Sequence, residues 1–224
     1  MVLAALATLG FSACLPRPEP WSLPSSGSGP EPTPFYVGVI GDSLTMHAET
    51  EGPYPKDTPN RFLTNDLNDL GHAASVSATV GTRATELVDF NFPTPDSDLI
   101  VIALGTNDMD GRFNEGAAID PAPSLNEVSD LVARSGSDCA VLVTITESAP
   151  WRLDANGPAY NDGLRALDQA SDQIALADWT PIAAARPELF TADLVHHTTE
   201  GMRVYRQFIV DAVQAHLPVN GVCS

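Results

Sequence analysis

Short apolar runs that stop abruptly at glycine or polar residues, and alternate with stretches of helical periodicity, constrain this chain more than any other feature. The segment Asp98-Leu99-Ile100-Val101-Ile102-Ala103-Leu104 is continuous, apolar and partly β-branched, as a strand buried on both faces of a parallel sheet must be. Phe35 to Ile40, Ala73 to Val80, Cys139 to Ile145 and Gln173 to Ala177 give further strand candidates. Between them, Thr58-Pro59 supplies a cap and first-turn proline ahead of Phe62, Leu63, Leu67 and Leu70, and Gly71 closes that helix. Thr82 to Phe90 reads as helical, Leu125, Val128, Leu131 and Val132 mark another helix, and a further one is expected from Pro158 with Tyr160, Leu164 and Leu167. The last, from about Thr198, sets Met202, Tyr205, Phe208, Ile209, Val213 and Leu217 on one face. This alternation predicts an α/β chain: a three-layer α/β/α sandwich around a parallel sheet of about five strands, with right-handed crossovers bringing all strand carboxyl ends to one edge.

A chain of 224 residues holds one domain of ordinary size with a full core. Its head reads differently. Residues 1–14 are apolar, end in Phe11-Ser12-Ala13-Cys14 and are too short to span a bilayer, the pattern of an export signal. Small residues before Cys14 resemble a bacterial lipobox, in which the cysteine is lipidated and anchors the protein to a membrane. Residues 15–34, dominated by Pro, Ser, Gly and Glu, cannot bury a core and read as a tether, leaving 35–224 as the folded domain. The formal charge of −18, with Lys56 the only lysine, excludes a basic footprint, so no nucleic-acid partner is expected. Cys139 and Cys223 remain: in an oxidising compartment they are a candidate disulfide, otherwise two free buried thiols.

Gly41-Asp42-Ser43-Leu44 stands where the first strand candidate ends and a helix can begin. A serine there projects from the carboxyl edge of the sheet beside the free N–H groups of the helix start, which suits a nucleophile and a developing oxyanion. As a plain alternative, Asp and Ser cap the helix. Asp193-Leu194-Val195-His196, just before the last helix, carries a carboxylate that can reach back to one imidazole nitrogen and leave the other to take a serine proton. Gly105-Thr106-Asn107-Asp108 follows the strongest strand and offers the Asn107 amide as a donor, and Gly81 follows the second strand. His197, adjacent to His196, raises metal binding, but neighbouring side chains diverge and no His or Cys lies at ligand spacing, so no metal is expected and His197 reads as a rim residue.

These blocks in this order, Gly-Asp-Ser-Leu, then Gly81, then Gly-x-Asn-Asp, then Asp-x-x-His, resemble the SGNH family of GDSL-type hydrolases from Phe35 to about Leu217. The resemblance implies a flavodoxin-like fold, a catalytic triad of Ser43, Asp193 and His196, an oxyanion hole of Ser43, Gly81 and Asn107, and no cofactor. His197 departs from the pattern, since many members carry proline after the catalytic histidine. The expected activity is that of an exported serine esterase working through an acyl-serine. Its substrate is an acyl ester, of a lipid or of an O-acetylated glycan.

Alternatives are an O-acetyltransferase or O-acetylesterase on cell-envelope glycans, to whose domains the stretch from Ala177 to Asp193 is similar, and a non-catalytic surface binding module. Met109 and Trp151, in loops after strands, are candidates for the substrate pocket, and Trp179 for the core between layers.

Overall fold

The computed structural model describes residues 34–51, 62–88, 97–113, 117–148 and 151–224. The expected signal, Cys14 and all but the last residue of the tether lie outside these residues, as do Thr58-Pro59. In chain order the elements are β1 (Tyr36–Gly41), α1 (Ser43–Thr50), α2 (Phe62–Asp69), β2 (Ala73–Ala78), β3 (Leu99–Ala103), α3 (Ala122–Ser135), β4 (Cys139–Val143), α4 (Leu153–Ala170), β5 (Ile174–Ala177), α5 (Thr180–Ala185) and α6 (Thr199–Ala215). Among them, five strands form one all-parallel sheet in the order β2-β1-β3-β4-β5.

Alternation along the strands sorts the core into two layers. Val37, Val39, Leu99, Val101, Val141 and Val143 face α1, α2, α5 and α6, whereas Ile40, Ile100, Ile102, Ala140 and Leu142 face α3 and α4. Helices on both faces explain why β3 and β4 are buried at every position. Sheet order reverses at β1, which lies between β2 and β3, and such a switch point is where open α/β sheets leave a crevice beyond the strand ends. Register puts Gly41 level with Ala78 and Ala103, so the segments leading to Ser43, Gly81 and Asn107 leave the sheet side by side.

Two expected helices differ. Thr82 to Phe90 forms only a single 3-10 turn, Ala84–Glu86, within its described part. Asp108 accounts for this by accepting the backbone N–H of Ala84 at 2.9 Å and the Thr85 hydroxyl at 3.2 Å, fixing the turn to the neighbouring loop. The helix expected from Pro158 starts earlier, at Leu153, and contains the proline. Pro158 removes one internal hydrogen bond, but burial of Leu153 and Tyr160 in the core and the bond from Asn156 to the Met109 carbonyl hold the preceding turn helical. Cys139 and Cys223 are joined as a disulfide that ties the C-terminal tail to the start of β4. No helix among the described residues is long and apolar enough to cross a membrane.

Candidate active site

β1 ends at Gly41, whose missing side chain leaves room for that of Thr45 in the first turn of α1. Asp42 caps this helix, its carboxylate accepting the backbone N–H of Leu44 at 2.9 Å. Ser43 is therefore the first helical residue, with its own N–H among the donors that a helix start leaves unused. Its Oγ lies 3.2 Å from Nε2 of His196, a residue 153 positions away in sequence.

His196 sits in an irregular loop just before Thr198, which caps α6 through its side chain. Nδ1 of His196 is 2.7 Å from Oδ2 of Asp193. The other Asp193 oxygen accepts the Thr191 hydroxyl at 2.7 Å and the backbone N–H groups of His196 at 3.0 Å and Val195 at 3.1 Å. Burial alone would raise this carboxyl, but the bonds from His196, Thr191 and the two backbone groups together hold it well below the usual carboxylate range. An ionised Asp193 fixes the His196 proton on Nδ1 and leaves Nε2 to accept from Ser43. The loop needs Leu194 at φ 54°, a left-handed conformation that strains a side-chain-bearing residue. At its base, a Cβ on Gly201 would collide with the Leu189 carbonyl oxygen, so α6 packs there only through glycine.

Asn107 approaches from the β3 end. Its amide nitrogen donates to the Thr82 carbonyl at 3.0 Å and to Oδ2 of Asp42 at 3.3 Å, linking the loops after β1, β2 and β3. Burial pushes the Asp42 carboxyl up to about 7, against the lowering effect of its bond from Leu44. The Gly105 turn before Asn107 has φ 114° and lies against the Tyr160 ring, leaving no space for a Cβ. Gly81, at φ 80°, also needs glycine's freedom, and its N–H donates to no acceptor among the described residues.

Ser43, Asp193 and His196 thus come together, with Gly81 and Asn107 on loops from the adjacent strand ends. Beside them opens a cavity of about 670 Å³ lined by Ser43, His47, Val80, Asp193, His196 and Met202, among others. Neither expected pocket residue lines it. Met109 is fully buried in the layer under α4, because the Gly105 turn carries the chain inward and Asn156 binds the Met109 carbonyl at 3.0 Å. Trp151 instead packs its edge on His196, ring centroids 5.3 Å apart, with the Arg112 guanidinium 3.6 Å from its own ring centre.

His197 is not a rim residue: at 1% exposure it lies among Trp179, Phe190 and Tyr205. Successive side chains on extended backbone point opposite ways, so facing His196 to the site turns His197 into the core. Burial, with His47 and His196 adding to it, lowers its imidazole to about 3 and keeps it neutral. Among the described residues no cluster of His, Cys, Asp or Glu could hold a metal ion. Two residues at the site are not singled out by the sequence: Asp42 reads there only as a cap, and the one signal for His47 is its position four residues after Ser43 on one helix face.

A family model described as GDSL-like lipase/acylhydrolase matches residues 39–204. No curated protein matches the chain. Solved structures share the fold. The peptidoglycan O-acetyltransferase A catalytic domain of Streptococcus pneumoniae is 20% identical, with a TM-score of 0.57 over 82% of this chain and 94% of that one. An acetyl xylan esterase, AlAXEase, is 18% identical, with a TM-score of 0.59 over 80% of this chain and 100% of that one. A lipase/acylhydrolase from Enterococcus faecalis is 17% identical, with a TM-score of 0.60 over 82% of this chain and 97% of that one.

Proposed function

Because this chain belongs to the GDSL-like lipase/acylhydrolase family, we propose that it cleaves carboxylic esters through an acyl intermediate on Ser43. The observation that carries this reading is the chain of contacts from Ser43 Oγ to His196 Nε2, 3.2 Å, and from His196 Nδ1 to Asp193, 2.7 Å. His196 takes the Ser43 proton as Oγ attacks the carbonyl carbon, and Asp193 stabilises the imidazolium that forms. Negative charge on the carbonyl oxygen meets the N–H groups of Ser43 and Gly81 and the Asn107 amide. For Asn107 the longer bond, to Asp42, is the one that gives way, while the Thr82 carbonyl keeps the side chain in place. Collapse of the tetrahedral species breaks the ester C–O bond, and His196 returns the proton to the leaving alcohol. Water then attacks the acyl-serine by the same route in reverse.

A fluorophosphonate probe and a short-chain aryl ester test the assignment. Wild type should be labelled and active, whereas Ser43→Ala should lose labelling and about 10⁴-fold or more of kcat. Labelling that persists in Ser43→Ala would place the nucleophile elsewhere.

The substrate is an O-acetylated glycan in our reading, which makes a sugar hydroxyl the alcohol half of the ester. Two structural neighbours are named for acetyl chemistry on polysaccharides, a peptidoglycan O-acetyltransferase and an acetyl xylan esterase. Thr199 and the imidazoles of His47 and His196 on the cavity wall supply polar contacts for a hydroxyl-bearing guest. Transfer to a sugar hydroxyl in place of water is the second reading, separated by whether label from an acyl donor reaches an added glycan or appears as free acid. The protein is proposed to work outside the cytoplasm, with 1–14 as export signal, Cys14 as lipid anchor and 15–34 as tether. The disulfide Cys139–Cys223 supports an oxidising compartment. Intact mass of the membrane-extracted protein tests the anchor: an unmodified Cys14 rejects it.

A further inference from the structure

His47 stands one helical turn beyond Ser43 on α1, so the two side chains leave the same face of the helix. Both line the cavity, with Thr191, Thr198, Thr199 and Met202 also on its wall. The His47 ring is tilted against that of His196, with centroids 5.5 Å apart. Nδ1 of His47 is buried and has no hydrogen-bond partner, which leaves Nε2 as the nitrogen turned to the cavity. A proton on Nδ1 would be an orphaned buried donor, so the favoured tautomer carries it on Nε2 and presents an N–H to whatever enters. Burial first, and His196 second, lower the His47 pKa, so the ring acts as a neutral donor and not as a cation.

Chemistry decides which half of an ester meets this donor. His196 Nε2 must hand its proton to the leaving oxygen, so the alcohol emerges on the His196 side of Ser43. The carbonyl oxygen turns instead to Gly81 and Asn107, neither of which lines the cavity. Of the two rings that pack on His196, His47 lines the cavity, whereas Trp151 does not and is covered by Arg112.

We propose that His47 is a specificity-determining residue for the alcohol half of the ester, its Nε2–H donating to a hydroxyl adjacent to the ester oxygen on a sugar ring. This rests on the esterase reading and names what that site selects. Val80 and Met202 supply carbon for the C–H face of such a ring, and the Thr199 hydroxyl supplies a further polar partner. An aryl or alkyl ester has no neighbouring hydroxyl and gains nothing from the contact.

The test uses the full chain and three substrates: a monoacetylated hexopyranoside with a free hydroxyl beside the ester, the same ester with that hydroxyl replaced by hydrogen, and an aryl acetate. Wild type should prefer the hydroxylated sugar ester over its deoxy partner by about tenfold in kcat/KM. In His47→Phe that preference should shrink to about twofold or less, and His47→Gln, which keeps a donor, should recover part of it. The preference is a ratio measured on one preparation, so partial loss of folded protein cancels. A His47→Phe enzyme that keeps the full preference overturns the proposal, as does a wild type indifferent to the hydroxyl or active on the aryl acetate alone. A wild type inactive on all three esters removes the esterase reading itself, and the proposal with it.

Discussion

The turn that carries Ser43 and the loop that carries His196 meet across 3.2 Å, yet they are held in opposite ways. Ser43 follows a buried strand and opens a capped helix, so its backbone is dictated by regular hydrogen bonding and by the Leu44 N–H on Asp42. His196 sits in an irregular stretch whose shape comes from one carboxylate, Asp193, gathering two backbone N–H groups, a hydroxyl and the imidazole. Its Leu194 pays for the bend in backbone strain. The comparison teaches that the nucleophile is positioned by secondary structure and the base by a polar hub. Removing Ser43's side chain should therefore leave the fold alone, whereas removing the hub's charge should disturb both activity and local structure.

The hub gives the largest effect. Asp193→Asn should lower kcat by about 10⁴-fold, because the amide favours the wrong His196 tautomer. The same variant sharpens the comparison through stability. Asp193 has a folded pKa below its unfolded value, so its contribution is present above about pH 4 and is lost as pH falls through the folded pKa. Acid unfolding followed by circular dichroism should therefore show a weaker fall below pH 4 in Asp193→Asn than in wild type, and identical acid curves would remove the hub from the account.

On the strand side, Asn107→Ala should lower kcat by about 10²–10³-fold with a smaller change in KM, as loss of one oxyanion donor does. A rise in KM alone would recast Asn107 as a binding residue. Asp42 then probes the link between the two sides. Its folded pKa, about 7, lies above the unfolded carboxylate value of 3.8, so the folded state holds the proton longer and stability falls as pH rises between those two values. Asp42→Asn removes that titration. The melting temperature of wild type relative to Asp42→Asn should drop from pH 4 to pH 7, and a flat difference would show that Asp42 is ionised throughout.

Smallest is the effect at Leu194. Asparagine tolerates the left-handed region better than leucine, and at 39% exposure Leu194 has limited packing to lose. Leu194→Asn should raise stability by up to about 1 kcal/mol with little change in kcat, measured by denaturant unfolding. A clear loss would mean that the leucine side chain, not the backbone, holds the loop.

Much of this was legible in advance because it is local. Strands β3 and β4 are apolar at successive positions, which only a sheet covered on both faces explains, and the apolar face from Met202 to Val213 announced α6. Where the reading erred, a distant residue had intervened. Asp108 captured Ala84 and Thr85 and reduced an expected helix to one turn. Asn156 held Met109 in the core, and the aromatic cluster around Trp179 enclosed His197. A period in the sequence reports which face of an element is apolar, but it carries no record of a hydrogen bond closed across 24 or 47 positions.

By itself, then, the order of residues determined the layered α/β architecture and the chemical types at the strand ends, since hydrophobic periodicity and capping act within a few residues. Tertiary structure alone decided that His197 is enclosed in the core, that Cys139 lies against Cys223, and that His47 opens on the cavity. Those outcomes depend on how separate elements pack, and packing distances are set by the whole core and not by neighbours in the chain.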